Sequence, residues 1–399
     1  MISLKGDIKK LKLKKRICPV CKNKSYSNFS INKSYSKIDT NGIIYDYAHI
    51  LVICKYCNLV YTNPWLGYLN TNKIYENSAI GSAFEKSNKA EKHFRCFRSF
   101  FPKKKMLSRD TTILEIGSAT GVLLKNISVF YNLKKKNLLG VEPSKKLAQQ
   151  IKGNKYFNIK NKFIDEFKTK KKYDLIILDN VLEHIEEPRK ALKKIKALMH
   201  SNSIIYVAVP NILKFKKNFR DPFGHTINYY ENNIKYLFSH LGFKIVKMKK
   251  HYNYINFIAM QEFKDTQLKV NFKQDLEKKF KTVKAFVHKS KQHKKELLKY
   301  YKEIEKNIKK NKFKIILYGA SNFALEFLKN TNLNKNILFL IDSNPIYYYQ
   351  KRFGYNVLPP ENLYNAKFDR ILITSRAFSS DIKNYIEKLG IAKKKIIQL

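Results

Sequence analysis

The segment Ile113-Leu114-Glu115-Ile116-Gly117-Ser118-Ala119-Thr120-Gly121 constrains this chain more than any other. A short apolar run ends in a turn of small residues, and a helix is expected to begin near Val122. In an α/β layer such a turn lets backbone approach a ligand closely, and the helix start offers unpaired N–H groups. Twenty-one residues beyond Gly121, Glu142 closes the next apolar run. A carboxylate there accepts hydrogen bonds from both hydroxyls of a ribose. Two ligands fit this layout, a dinucleotide and S-adenosylmethionine (SAM).

The alternation of strand and helix continues from 111 to about 260 and implies a parallel sheet with crossovers. Strands are expected at Thr112–Ile116, Leu138–Glu142, Leu175–Leu178, Ile204–Val209, Lys244–Lys249 and Ile255–Met260. The pattern resumes at Lys312. There Lys314–Tyr318 leads into Gly319-Ala320-Ser321-Asn322, then a strand at Ile337–Ile341 ending on Asp342, a strand at Ile371–Thr374 and a last helix from Asp381 to Leu389. Residues 66–105 read as a basic helical connector bearing Phe94, Phe97, Phe100 and Phe101. Residues 262–311 are dense in Lys and Glu, with Leu276, Phe280, Val283 and Val287 at helical spacing, extended by Phe286 and Leu297-Leu298. They read as a helical bridge with a solvated face. A length of 399 residues suits two or three domains. The expected architecture is α/β: a small cysteine domain over 1–65, a central Rossmann-like domain over 106–261 and a smaller C-terminal α/β domain over 312–399.

Four of the five cysteines form two Cys-x-x-Cys pairs, Cys18/Cys21 and Cys54/Cys57. Each pair presents two thiolates to one ion, and Zn²⁺ takes four in a tetrahedron. The 32 residues between the pairs are long for a zinc ribbon, but a hairpin within Ser25–Val52, with strands at Ile43-Ile44-Tyr45 and Ile50-Leu51-Val52, brings the pairs together. Four thiolates leave no open position, so the zinc is expected to be structural. Cys96 stands alone, with no motif around it.

The charge of +49, from 80 basic and 31 acidic residues, invites a polyanionic partner. The basic residues are nearly all Lys, however, and they spread along the whole chain. Phosphate recognition favours clustered Arg, so nucleic acid is not the expected partner. No apolar run reaches the roughly 18 residues of a membrane span, and Met1 to Arg16 lacks a signal peptide's apolar segment. A cytoplasmic protein is expected, and that setting disfavours disulfides.

The run Asp179-Asn180-Val181-Leu182-Glu183-His184-Ile185-Glu186-Glu187-Pro188 resembles the fourth-strand motif of class I SAM-dependent methyltransferases. Pro210-Asn211, His225, Tyr229-Tyr230 and Leu241-Gly242-Phe243 resemble that family's later motifs in the same order, over roughly 150 residues. The resemblance implies that SAM is the cofactor. Glu115, Gly117, Ala119 and Gly121 would surround its methionine part, and Glu142 would hold its ribose. Phe163 or Ile164 would lie against adenine, with Asp179 and Asn180 lining the site. Ala119 replaces the middle Gly of the family's glycine motif. Transfer to an alcohol or carbon acid needs proton removal, and histidine is the natural base near neutral pH. His225 and His184 are the candidates; the alternatives are loop ordering for His225 and a turn cap for His184.

Cys57-Asn58-Leu59-Val60-Tyr61-Thr62-Asn63-Pro64, Ile341-Asp342-Ser343-Asn344-Pro345 and Gly354 to Glu361 resemble motifs of the three-part sugar C-methyltransferases. In that family a zinc-binding part, a SAM part and a Rossmann-like part act on nucleotide-linked deoxysugars. Tyr75 sits near its substrate-site tyrosine. The resemblance implies a nucleotide-linked sugar or glycan precursor as acceptor. The chain departs from the family at Pro222-Phe223-Gly224-His225, which lacks the glutamate that precedes the last His. It departs again at Gly319-Ala320-Ser321, where the family has Gly-x-Gly. C-, O- and N-methylation therefore all stay open. So do an RNA methyltransferase with a zinc knuckle, a non-catalytic SAM-binding scaffold, and nucleotide binding by the C-terminal part.

Overall fold

A computed structural model describes residues 8–38, 43–67, 72, 74, 76, 77, 88–214, 225–262, 270, 272, 292, 294–375 and 378–399. They fall into two compact units. One comprises 12–33 and 48–290; the other comprises 1–11, 34–47 and 291–399.

The N-terminal strands are β1 (Ile8–Lys10), β2 (Tyr26–Ile38), β3 (Ile44–Cys54) and β4 (Val60–Thr62). β2 pairs with β3, and β4 returns antiparallel to β3. Within the unit built around the C-terminal part, β1 runs parallel to Ile44–Asp46.

The larger unit is built on β5 (Ile113–Ile116), β6 (Leu138–Val141), β7 (Asn158–Lys160), β8 (Tyr173–Asp179) and β9 (Met199–Pro210). The short β10 (Ile227–Asn228) belongs to the N-terminal sheet, and β11 (Phe243–His251) and β12 (Tyr254–Gln261) complete the central one. Its order is β11-β12-β9-β8-β5-β6-β7, with β5 to β9 all parallel. Side chains alternate between two cores, as the strand period of two requires. Leu114, Ile116, Ile176 and Leu178 enter one, and Ile113, Leu175 and Ile177 the other. Both faces are covered, which explains why these strands are nearly continuous apolar runs. Full burial of each such side chain stabilises the fold by roughly 1.5–3 kcal/mol.

The expectation of an all-parallel sheet is corrected at one edge. β11 and β12 form an antiparallel hairpin, and β12 is antiparallel to β9. Only Tyr252 and Asn253 separate them, and a parallel return needs a crossover of a dozen or more residues.

The smaller unit holds β13 (Ile315–Tyr318), β14 (Ile337–Ile341), β15 (Lys351–Arg352), β16 (Tyr355–Leu358), β17 (Arg370–Ile373) and β18 (Ile396–Gln398). The order is β15-β16-β14-β13-β17-β18, parallel except for β15 with β16. Residues 294–310 are helical, and Tyr301, Ile304 and Ile308 pack on Ile315, Leu317 and Leu328. Most of the rest of the expected bridge, including Leu276, Phe280, Val283, Phe286 and Val287, lies outside the described residues. Among the described residues no helix is long and apolar enough to cross a membrane.

Candidate functional site

In the larger unit the chain runs from β5 to β6 and β7 on one side and returns through β8 and β9 on the other. A crevice opens at such a reversal, beyond the carboxyl ends of β5 and β8. The glycine turn lies there. Gly117 and Gly121 both have left-handed φ, +67° and +69°. A Cβ on Gly117 would meet Val181 Cγ2 at 2.6 Å, and one on Gly121 would meet Phe157 Cζ at 2.0 Å. Both positions therefore need glycine for conformation and for space.

Ala119 also has a left-handed φ, +46°. A side chain costs about 1–2 kcal/mol in that region. Glycine would relieve it but add roughly 0.4–1 kcal/mol of unfolded-state entropy. Ala119→Gly is thus expected to stabilise the fold by a few tenths to about 1 kcal/mol. Chemical denaturation checks this; a loss of stability would contradict the strain.

The turn is tied to the end of β6 by a carboxylate. Ala119 N–H donates to Glu142 Oε2 at 2.8 Å and Ser144 N–H to Glu142 Oε1 at 2.8 Å. Burial pushes the Glu142 carboxyl up to about 7, against the pull of those two N–H groups. The same wiring recurs in the smaller unit, where Ala320 N–H and Asn344 N–H bond Asp342 at 2.7 and 2.8 Å. There, however, the buried Arg352 donates to the turn carbonyl of Ala320 at 2.9 Å.

A cavity of about 390 Å³ opens over the turn, within the range of small-molecule sites. Glu115, Phe163, Ile164, Asp179, Asn180 and Glu142 all line it. Glu115 is buried, one of its oxygens has no hydrogen-bond partner among the described residues, and its carboxyl is pushed well up. Burial is the first cause; the Asp179 and Glu142 carboxylates add to it. A cavity whose lining includes the acidic groups of Glu115, Glu142 and Asp179 favours a cationic ligand.

His93 was not anticipated. It stands on the helix Asn88–Arg98, its Nδ1 lies 2.8 Å from Asp179 Oδ2 and 3.1 Å from Asn180 Nδ2, and its ring meets Tyr254 edge-on. Asn180 itself has a left-handed φ of +57°, which an Asn tolerates better than most residues. Cys96, on the same helix, is buried, and burial raises its thiol.

His184 and His225 stand together on the cavity wall. Their rings are 4.8 Å apart, nearly perpendicular, and their Nε2 atoms lie 4.0 and 3.9 Å from Glu183 Oε1. The backbone fixes this meeting. Thr226 and Ile227 N–H groups both donate to the Glu183 carbonyl, at 3.0 and 3.2 Å, and β10 pairs antiparallel with β4. Half-buried Arg16 ties the same elements together through the carbonyls of Thr62, Glu186 and Thr226. Tyr75 lies outside the described residues.

The cysteine pairs form two matching knuckles. Lys22 N–H donates to Cys18 O and Asn58 N–H to Cys54 O, both at 3.0 Å, and Lys22 and Asn58 both have left-handed φ. Cys18 and Cys57 sulfurs are 3.6 Å apart, Cys21 and Cys54 sulfurs 3.4 Å, and all four lie within 4.8 Å of one another. None forms a disulfide. A tetrahedron with metal–sulfur bonds of about 2.3 Å has edges near 3.8 Å, so the four sulfurs fit zinc. Crowding by the other three sulfurs and burial push the Cys57 thiol up, a penalty that a bound cation removes.

Residues 87–248 match a family described as a methyltransferase domain, and residues 311–397 match one described as C2185-like, N-terminal. No curated protein sequence matches the chain. Among solved structures, the chain is similar to the plantazolicin methyltransferase BpumL bound to a desmethyl-plantazolicin analogue and SAH, the demethylated product of SAM. The identity is 15%, with 45% of this chain and 88% of that one covered at a TM-score of 0.37. A SAM-dependent methyltransferase from Clostridium acetobutylicum shows 12% identity over 45% of this chain and 94% of its own, at 0.35. The Haloferax volcanii complex of the Trm112 activator with a putative methyltransferase gives 8%, 45%, 97% and 0.39.

Proposed function

We propose that the larger unit transfers a methyl group from SAM to a small acceptor. The observation that carries this reading is the glycine turn held by Glu142 over a carboxylate-lined cavity, inside the stretch matching a methyltransferase domain. The residues suit SAM chemically. Gly117 and Gly121 leave room for close approach, each Glu142 oxygen keeps acceptor capacity for a ribose hydroxyl, and Glu115 and Asp179 face a ligand that is cationic at sulfur and nitrogen. SAM supplies a methyl group already activated by its sulfonium. Phe163 or Ile164 packs the adenine, and Asp179 and Asn180, braced by His93, position the ligand's polar edge.

The remaining task for the chain is to handle the acceptor's proton. His225 and His184 face the cavity for that purpose. The glutamate missing before His225 has a spatial substitute in Glu183. Zinc in the four-cysteine site is structural: it holds β4, and through β4 the strand that follows His225.

A pH dependence follows from Glu142. Its folded pKa, about 7, is raised, so the folded state retains a proton that the unfolded chain releases near its ordinary value. Stability therefore falls as pH rises from about 4.5 to 7. Ribose binding needs the ionised carboxylate, so SAH affinity should move oppositely. It is expected to weaken roughly tenfold per pH unit below about 7 and to level off above it. Calorimetric titrations at several pH values check this, and Glu142→Gln should flatten the profile. A profile equally steep in Glu142→Gln would assign the effect elsewhere.

The acceptor class rests on motif resemblance, which favours a nucleotide-linked sugar or glycan precursor, methylated at carbon or oxygen. Methyl-labelled SAM offered with a panel of nucleotide sugars should label one of them. Labelling of RNA instead would reject the sugar assignment.

A further inference from the structure

We propose that Glu183, His184 and His225 bind one divalent first-row cation on the cavity wall. Their ligand atoms all lie within 4.8 Å of one another, and both imidazole Nε2 atoms approach the same carboxylate oxygen, at 4.0 and 3.9 Å. From these three edges, an ion at the centre would sit no more than about 2.5 Å from each atom. That is slightly beyond the roughly 2.0–2.2 Å of metal–imidazole and metal–carboxylate bonds. Small side-chain rotations close the difference.

Glu183 gives the second, independent indication. It is 1% exposed, and neither carboxylate oxygen has a hydrogen-bond partner among the described residues. A desolvated carboxylate without hydrogen bonds is unfavourable unless it is protonated or meets a cation. The backbone holds the ligands in place: Thr226 and Ile227 N–H groups both bond the Glu183 carbonyl, which fixes His225 beside His184.

The donor set differs in kind from the four thiolates at the cysteine knuckles. Two imidazoles and a carboxylate suit manganese, iron or zinc, and three protein ligands leave positions open. All three residues line the cavity over the glycine turn, so the open positions face the space left for an acceptor. With the ion bound, the two imidazoles act as its ligands rather than as bases, and a hydroxyl bound there would release its proton to solvent more readily, because the ion lowers its pKa. This role toward an acceptor rests on the methyl-transfer reading; the metal site itself does not.

The test uses the full chain with its cysteine site loaded with zinc. Mn²⁺ is titrated in and followed by electron paramagnetic resonance, with a parallel SAH titration. One Mn²⁺ per chain is expected, with nitrogen couplings from histidine in the spin-echo spectrum. Glu183→Gln and His225→Gln should each weaken the site at least about tenfold while zinc content and melting temperature are retained. Absence of bound Mn²⁺, bound Mn²⁺ without nitrogen couplings, or folded variants with unchanged affinity would each overturn the proposal. Mn²⁺ binding without SAH binding would leave the metal site standing and remove the methyl-transfer reading. SAH binding without Mn²⁺ would do the reverse.

Discussion

Replacing Cys18 and Cys57 together with Ser is expected to release zinc, lower the melting temperature and loosen the wall that carries His225. The reason is the shared core. Cys18, Cys57 and Tyr61 pack in one cluster with Ile176, Leu178 and Val207 of the central sheet. The Cys57 carbonyl accepts hydrogen bonds from Asn233 Nδ2 at 2.6 Å and Tyr230 Oη at 3.1 Å. β4, which follows the second knuckle, pairs with β10, two residues after His225. Zinc contributes about 10 kcal/mol or more to isolated zinc-binding peptides. Here much of the apolar core would persist without the ion, so a smaller loss, on the order of 3–5 kcal/mol, is expected. Elemental analysis and chemical denaturation read the two effects. Unchanged stability in the zinc-free variant would show that the knuckles do not support the fold.

Gly121→Ala should act more locally and nearly as strongly. The new Cβ would lie 2.0 Å from Phe157 Cζ, in a ring only 3% exposed, at a φ of +69°. Overpacking costs about 1–3 kcal/mol and the left-handed backbone another 1–2 kcal/mol or so. The expected total is roughly 2–5 kcal/mol, together with loss of SAH binding as the turn shifts. The double variant Gly121→Ala with Phe157→Leu separates the contributions. It should recover part of the packing cost and none of the backbone cost. If the single variant kept full stability and full SAH affinity, close approach at Gly121 would be irrelevant.

What the sequence made legible was short-range. The glycine turn, the helix after it and Glu142 lie within thirty or so positions, and their wiring follows from one strand–turn–helix–strand unit. The two knuckles were readable because each is built from its own five residues. His93 was not readable. It carries no motif, and only the packing of Phe97 and Phe100 beneath its helix brings it to Asp179. Glu183 was visible as part of a motif, but its position beside His225 depends on two backbone hydrogen bonds made across the chain. The antiparallel edge was readable in principle, since two residues between β11 and β12 exclude a crossover; the strand pattern alone hides direction.

Binding of SAH to the full chain at pH 8, measured by calorimetry, tests whether the glycine turn and Glu142 hold SAM. One SAH per chain is expected, with a raised melting temperature and an affinity that Glu142→Gln weakens. No heat and no thermal shift with either SAH or SAM would contradict this role.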